Sequence, residues 1–421
     1  MSKIAIVTDS TSDLPNKVTK DNGIFVVPLN VHFGDETFID GVNLDTSEFY
    51  PKLISSEFHP TTSQPSVGTF LETYENVLKS HDSIISIHIS SKLSATYSSA
   101  LQAKVGELYL KNPVMLASGT AGHSAEFSSF LNLSELGAVV VKSLSPYPWK
   151  GNPAPRVHQT PSGMINSVGL QGPGLEKWAE NEMPPLIESG AAIIVSIWGR
   201  TIHDYTEAAN FCRHLPDEVI AIEVNVSCPN VEERGAIFSH SADMTKAVME
   251  ATNTIDRPKW AKLSPNTSDL VEIAKAAVSG GADALTLVNT LLGMVIDSET
   301  GKPILGAGGG GLSGPAIRPV AVRSVFDDRS ALPDIPIVGV GGISSHKHAL
   351  EFLMAGANAV QIGTANFADP RVSKKIIKGL RQWCKRNSVE DIASIVGKSQ
   401  TSNDLDKRQK EEGETGIETK K

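Results

Sequence analysis

Ala221-Ile222-Glu223-Val224-Asn225-Val226-Ser227-Cys228-Pro229-Asn230 runs as an alternating apolar strand and then stops in a polar turn. Ile222, Val224 and Val226 fall on one face, Asn225 falls on the other, and Pro229 ends the ladder because it has no N–H to give. Cys228 is thereby presented at a strand end, in a stiff turn between a serine and a proline. A lone cysteine is commonly a small buried hydrophobe. Its meaning here depends on what the rest of the chain places at equivalent positions.

Working outward, the same pattern of an apolar strand, a polar or glycine end and a following helical stretch occurs eight times, over residues 114–118, 138–143, 193–196, 222–225, 260–262, 284–290, 337–342 and 359–364. The ends read Ser118, Lys142-Ser143, Ser196, Asn225, Lys262, Asn289-Thr290, Gly341-Gly342 and Gly363-Thr364. Eight such units between residue 114 and about residue 386 match the size and period of an α/β (β/α)8 TIM barrel, for which about 250 residues is typical. A doubly wound sheet is the alternative. In a barrel the C-terminal strand ends share one face, so these polar ends converge on a single site. The glycines after strands seven and eight stand where barrels bind phosphate through backbone N–H groups, and Lys142 and Lys262 supply cations. Such a site suits a phosphorylated planar cofactor lying across the barrel mouth.

The charge balance narrows the partners. With 38 Lys+Arg against 47 Asp+Glu the formal charge is -9, which argues against nucleic acid or an anionic membrane. Cys212, Cys228 and Cys384 lie far apart without a C-x-x-C, so no disulfide framework, zinc site or iron-sulfur site is expected, and a reducing cytoplasm is. No apolar run reaches the roughly 18 residues of a membrane span. The glycine run from Gly306 to Gly311 contains a formal G-x-G-x-x-G, yet it lacks a preceding strand in a βαβ unit and a ribose-binding acid. It is read as a mobile loop beside the site, not as a dinucleotide site. The charged residues 399–421 are expected to be a disordered tail.

Upstream of the barrel, residues 3–8, 25–33 and 83–89 read as strands, and the last leads toward a helix ending near Lys104. Asp9-Ser10-Thr11-Ser12-Asp13-Leu14, Thr62-Ser63-Gln64-Pro65-Ser66 and Leu93-Ser94-Ala95-Thr96-Tyr97 resemble elements of the DegV family of fatty-acid-binding proteins. That resemblance implies that Thr62 and Ser94 bind a lipid carboxylate. It covers residues 1–104 only, an incomplete DegV-like α/β segment, and leaves residues 105–398 as the barrel domain.

Residues 105 to about 398 resemble the class 1 dihydroorotate dehydrogenases, most specifically the catalytic subunit of the NAD-linked B type. The resemblance rests on Lys111-Asn112-Pro113-Val114-Met115, Gly151-Asn152-Pro153, Asn166-Ser167-Val168-Gly169-Leu170-Gln171, Asn225 to Asn230, Lys262-Leu263-Ser264-Pro265-Asn266, Val288-Asn289-Thr290, Leu312-Ser313-Gly314-Pro315-Ala316, Gly341-Gly342 and Gly363-Thr364-Ala365-Asn366. It implies FMN held by Ser118, Lys142, Ser143, Asn225, Lys262, Val288, Gly314, Gly341, Gly342, Gly363 and Thr364. Ser196 stands where the family's third-strand asparagine usually contacts FMN, so that bond is expected to be shortened or passed through water. Dihydroorotate or orotate is expected to meet Lys142, Asn166, Ser167, Val168, Gly169, Leu170, Asn225, Asn289 and Thr290. Cys228 becomes the general base. The resemblance further implies a homodimer of catalytic subunits in a heterotetramer, with FAD, a [2Fe-2S] cluster and the NAD site on an iron-sulfur partner subunit. A fumarate-dependent class 1 enzyme without a partner is the alternative, and a fatty-acid carrier built on the N-terminal segment is a third reading. The family's N-terminal hairpin is expected to be cut, with 107–110 keeping its second strand and the DegV-like helix replacing the first.

Overall fold

The computed structural model describes residues 3–34, 36–56, 58–63, 65, 67–88, 100–227 and 238–400. They fall into two compact units, Met1–Ala100 and Leu101–Lys421.

In the second unit eight parallel strands close a barrel in chain order: β1 (Val114–Leu116), β2 (Ala138–Val140), β3 (Ile193–Ile197), β4 (Val219–Asn225), β5 (Lys259–Leu263), β6 (Ala284–Leu287), β7 (Ile337–Val340) and β8 (Ala359–Ile362). Closure is made by β8 on β1, with Val360 opposite Val114 and Ile362 opposite Leu116. The period-2 alternation sorts the side chains. Ile222, Val224 and Val226 join the outer core between strands and helices, whereas Ala221 turns inward to meet Met115, Ile194 and Trp260. On the same inward face, above that apolar layer, come Glu223 and then Asn225.

Sequence signals explain where the covering helices start. Thr201 accepts from the Asp204 N–H and Asp204 reaches back, a capping box that opens helix Ile202–Cys212. Ser241, Asp269 and Ser345 each accept one backbone N–H at the start of Ala242–Ala251, Leu270–Ser279 and His346–Ala355. The first crossover departs from the expected pattern, since it contains the 3-10 turns Glu126–Ser129 and Leu133–Glu135 and no α-helix.

Two further expectations are corrected. The N-terminal hairpin is intact: Ala103–Val105 pairs antiparallel with Leu108–Leu110. Gly106, with φ +59°, makes the tight turn possible, and Ala103, Val105 and Leu110 plug the lower end of the barrel against Met115, Ala138 and Trp260. The glycine run is likewise no loose loop at its end, because Gly310–Ser313 is a strand. It lies in a four-stranded antiparallel sheet with Val157–Thr160, Gly163–Asn166 and Leu291–Gly293. This sheet is inserted after β2 and β6, on the mouth side.

The first unit holds a parallel sheet of Ile24–Val27, Ile4–Asp9 and Ser83–Ile87, and an antiparallel sheet of Glu36–Ile39, Asn30–Phe33 and Thr61–Ser63. The strand expected over 25–33 is therefore two strands. Pro28 interrupts it, having no N–H for the ladder. One face of the parallel sheet packs Ala5, Val7 and Val27 on Val77, while Ile4, Ile6, Val26, Ile85 and Ile87 are exposed on the other.

Candidate functional site

A cavity of about 420 Å3 opens at the C-terminal ends of the barrel strands, within the size range of small-molecule sites. Its wall carries a continuous polar run. The Ser118 and Ser143 hydroxyls lie 3.3 Å apart, Asn225 Nδ2 donates to Ser143 Oγ at 3.2 Å, and Asn289 Nδ2 donates to Asn225 Oδ1 at 3.3 Å. Asn225 Oδ1 also takes the Ser227 N–H at 3.1 Å. One side chain therefore fixes both the wall and the backbone at Ser227, the residue before Cys228. Cys228 itself, like Ser94, lies outside the described residues.

Ser196 lies one step further back. Its hydroxyl is fully buried and bonds Ser143 Oγ at 2.9 Å, so it stands behind the wall and not in it. The other cofactor and substrate residues expected in the barrel, from Ser118 and Lys142 through Gly363 and Thr364, line this one cavity.

Gly314, Gly341 and Gly342 have φ of +100°, +136° and +70°, backbone that side-chain residues avoid. Thr364 Oγ1 donates to Ser313 Oγ at 2.7 Å and ties the end of β8 to the inserted sheet. Val288 closes the end of β6 next to Asn289.

The opposite wall comes from the inserted sheet and the loop after it. Asn166 Nδ2 donates to the Gly311 carbonyl at 3.3 Å, and Ser167 Oγ is buried without a partner among the described residues. Gly169 (φ +72°) and Leu170 (φ +62°) carry the loop onward in left-handed conformations. The glycine strand explains itself here: a Cβ at Gly310 would collide with the Asn166 carbonyl, and one at Gly311 with Thr290 Oγ1. Only glycine lets this strand approach both residues. Val157, Met164 and Ser313, which the sequence reading omitted, also face the cavity. A signal for the first two was the turn at Pro161-Ser162, which joins the strands carrying Val157 and Met164.

Beneath the mouth lies a polar layer. Lys262 Nζ is 3.2 Å from Glu223 Oε1, and Gln361 Nε2 donates to Glu223 Oε2 at 2.8 Å. Glu223 and Gln361 are fully buried, while Lys262 lines the cavity floor. Glu223 was also missed, although an acid two residues before Asn225 must share its inward face. Lys142 brings a second cation to the mouth. Burial, and next the Lys142 ammonium, hold the His123 imidazole below its ordinary range.

The remaining predicted groups lie elsewhere. Cys212 and Cys384 are free and buried; burial pushes the Cys212 thiol up to about 12 and raises that of Cys384 as well, so neither supplies a thiolate. Thr62 is exposed on the Thr61–Ser63 strand of the first unit.

The cavity answers the demands of a flavin nucleotide with a small anionic substrate. The Ser167 hydroxyl, the asparagine amides, two lysines and a glycine-only backbone supply donors and acceptors of the kinds that a phosphate, a heterocycle edge and a carboxylate can use.

Comparison with known proteins agrees with this arrangement. Residues 100–383 match the family described as dihydroorotate dehydrogenase, and residues 3–110 match one described as uncharacterised protein, DegV family. Among curated relatives, the "Dihydroorotate dehydrogenase B (NAD(+)), catalytic subunit" of Alkaliphilus metalliredigens (strain QYMF) is 46% identical over 299 residues, covering 70% of this chain and 98% of the relative. The like-named protein of Alkaliphilus oremlandii (strain OhILAs) is 47% identical over 296 residues, 70% of this chain and 97% of that one. The Bacteroides thetaiotaomicron counterpart is 43% identical over 298 residues, again 70% of this chain and 98% of its own length.

Proposed function

This chain belongs to the dihydroorotate dehydrogenase family, and from that premise we propose that it oxidises dihydroorotate to orotate in pyrimidine biosynthesis, with FMN in the barrel mouth. The observation that carries the reading is the hydrogen-bonded run from Ser118 through Ser143 and Asn225 to Asn289, in one cavity with Lys142 and Lys262.

Ser118, Lys142, Ser143, Asn225, Lys262, Val288, Gly314, Gly341, Gly342, Gly363 and Thr364 would hold the FMN, with Ser196 acting through Ser143. Asn166 to Leu170, Asn289 and Thr290 would orient the pyrimidine, since amides match its alternating donors and acceptors, and Lys142 would neutralise the carboxylate. Cys228 removes the C5 proton. A thiol of ordinary pKa about 8.5 does this best as the thiolate, so turnover should rise into mild alkali. Bound FMN supplies the hydride acceptor for C6 that no side chain offers.

The relatives' name as a catalytic subunit supports a separate partner. We assign to that iron-sulfur subunit the FAD, the [2Fe-2S] cluster and NAD+ reduction, in a heterotetramer around a homodimer of catalytic subunits. The free thiols Cys212 and Cys384 accord with a reducing cytoplasm. Among the described residues no helix is long and apolar enough to cross a membrane.

The test is direct. The purified chain should be yellow, bleach with dihydroorotate under anaerobic conditions and reduce an artificial dye, yet leave NAD+ untouched until the partner is added. Rapid turnover with fumarate by the lone chain would replace the NAD-linked assignment. A colourless protein that extracts with bound fatty acid would instead favour a carrier built on the Thr62 and Ser94 segment.

A further inference from the structure

We propose that Glu223 is a positioning residue that acts through Lys262: it fixes the lysine under the barrel mouth, offsets its charge, and thereby sets how far the site favours reduced over oxidised flavin. This rests on the FMN reading above.

The carboxylate has no access to solvent, and both of its oxygens are engaged, one by Lys262 Nζ at 3.2 Å and the other by Gln361 Nε2 at 2.8 Å. Among the described residues Glu223 is the one acceptor recorded for the Lys262 ammonium. Both contacts come from donors, an ammonium and an amide nitrogen. Gln361 points its amide nitrogen at Glu223 although this leaves Gln361 Oε1 buried without a partner, and the neighbouring Thr286 hydroxyl is unpartnered too.

A second argument comes from the layer just below. There the barrel interior is filled by Met115, Val140, Ala221, Trp260 and Val338 without any charge. A buried ion pair is generally no more stabilising than well-packed apolar residues of similar volume. An apolar residue at position 223 would thus serve folding as well, but it would leave Lys262 unanchored and its charge undiluted. Lys142, Lys262 and Glu223 together sum to a charge of +1, where the two lysines alone would give +2. A flavin gains negative charge on reduction, and the charges beneath it act through a weakly screening interior. Neutralising Glu223 should therefore favour the reduced form.

The experiment is to measure the midpoint potential of flavin bound to the full chain by spectroscopic titration against redox dyes, with the FMN dissociation constant measured in parallel. Glu223→Gln should retain FMN with little change in affinity for the oxidised form, and favour the reduced form about tenfold, a rise of about 30 mV for a two-electron couple. Measured against Lys262→Met alone, adding Glu223→Gln should give no such rise, because the acid acts through the lysine. Should Glu223→Gln fail to fold, Glu223→Asp, which withdraws the charge by one methylene, should give a smaller rise. A parent protein with bound flavin whose potential moves in neither variant would overturn the inference and leave the proposed function standing. A parent that binds no FMN would overturn both.

Discussion

Asn289 Nδ2 donates to Asn225 Oδ1 at 3.3 Å, linking the ends of β6 and β4 across the barrel mouth. Because the same Asn225 oxygen holds the Ser227 N–H, the cavity wall and the backbone leading into Cys228 share one anchor. Asn225→Ala removes that anchor and leaves several groups unpaired, so it should cost about 1–3 kcal/mol, roughly 5- to 150-fold in kcat/KM. Asn289→Ala should cost less and act mainly on KM. Equal losses from the two, with kcat untouched in both, would show that Asn225 does not govern the turn.

Cys228→Ala should abolish dihydroorotate oxidation while the protein stays yellow, since the thiol is assigned to the substrate proton and not to the flavin. Cys228→Ser should be slow and displaced to higher pH, as expected of a weaker acid. Near-parental turnover in Cys228→Ala would require another base.

Gly311→Ala tests the close approach of the glycine strand. The added methyl would meet Thr290 Oγ1, so the Michaelis constant for dihydroorotate should rise while flavin content and fold persist. An unchanged constant would mean that Thr290 is not held against the substrate.

Asp328 offers a stability test remote from the chemistry. It is fully buried in helix Arg318–Ala331 with both carboxylate oxygens unpartnered, and burial, then Asp327 and Asp269, push its pKa up to about 7. The unfolded chain releases this proton near pH 4 and the folded chain near pH 7, so between them the folded state binds more protons. The contribution is therefore fully present below about pH 4, declines as pH rises to about 7, and is flat above. Urea midpoints at pH 5, 6, 7 and 8 should fall with pH in the parent and fall less in Asp328→Asn. Parallel curves would show that Asp328 is ionised throughout.

Removal of residues 1–100 should leave kcat and KM unchanged, because the barrel unit begins at Leu101 and carries its own hairpin. Removal through Leu110 should not be tolerated, since Val105 and Leu110 each bury an apolar side chain worth about 1.5–3 kcal/mol at the barrel floor. An active, stable chain lacking the hairpin would refute the plug.

What could be read from the sequence follows from which residues carry period and which do not. The barrel strands were legible because Ile222, Val224 and Val226, and their equivalents, alternate against polar ends that the barrel gathers at one mouth. The inserted sheet was not, because Gly310 and Gly311 have no side chains with which to show a period, and their reason for being glycine lies in Asn166 and Thr290, far away in sequence. Ala103–Val105 was hidden for a similar reason: three residues are too few to distinguish a strand from the end of a helix. Ser196 was assigned to the right strand end, but its reach is set by side-chain length, which motif matching does not weigh. Glu223 was passed over because one acid within a strand resembles a solvent-facing residue until barrel closure turns that face inward.

The hairpin at 103–110 has a consequence for how this chain can be handled. Both family matches include residues 100–110, and this stretch seals the pole of the barrel opposite the catalytic mouth. An N-terminal addition therefore enters through a part of the scaffold that does no chemistry. That pole is a permissive port: affinity tags, reporters or immobilisation linkers grafted ahead of Leu101 should leave turnover alone, whereas additions placed in the loops after β2 or β6 would fall on the wall of the mouth cavity.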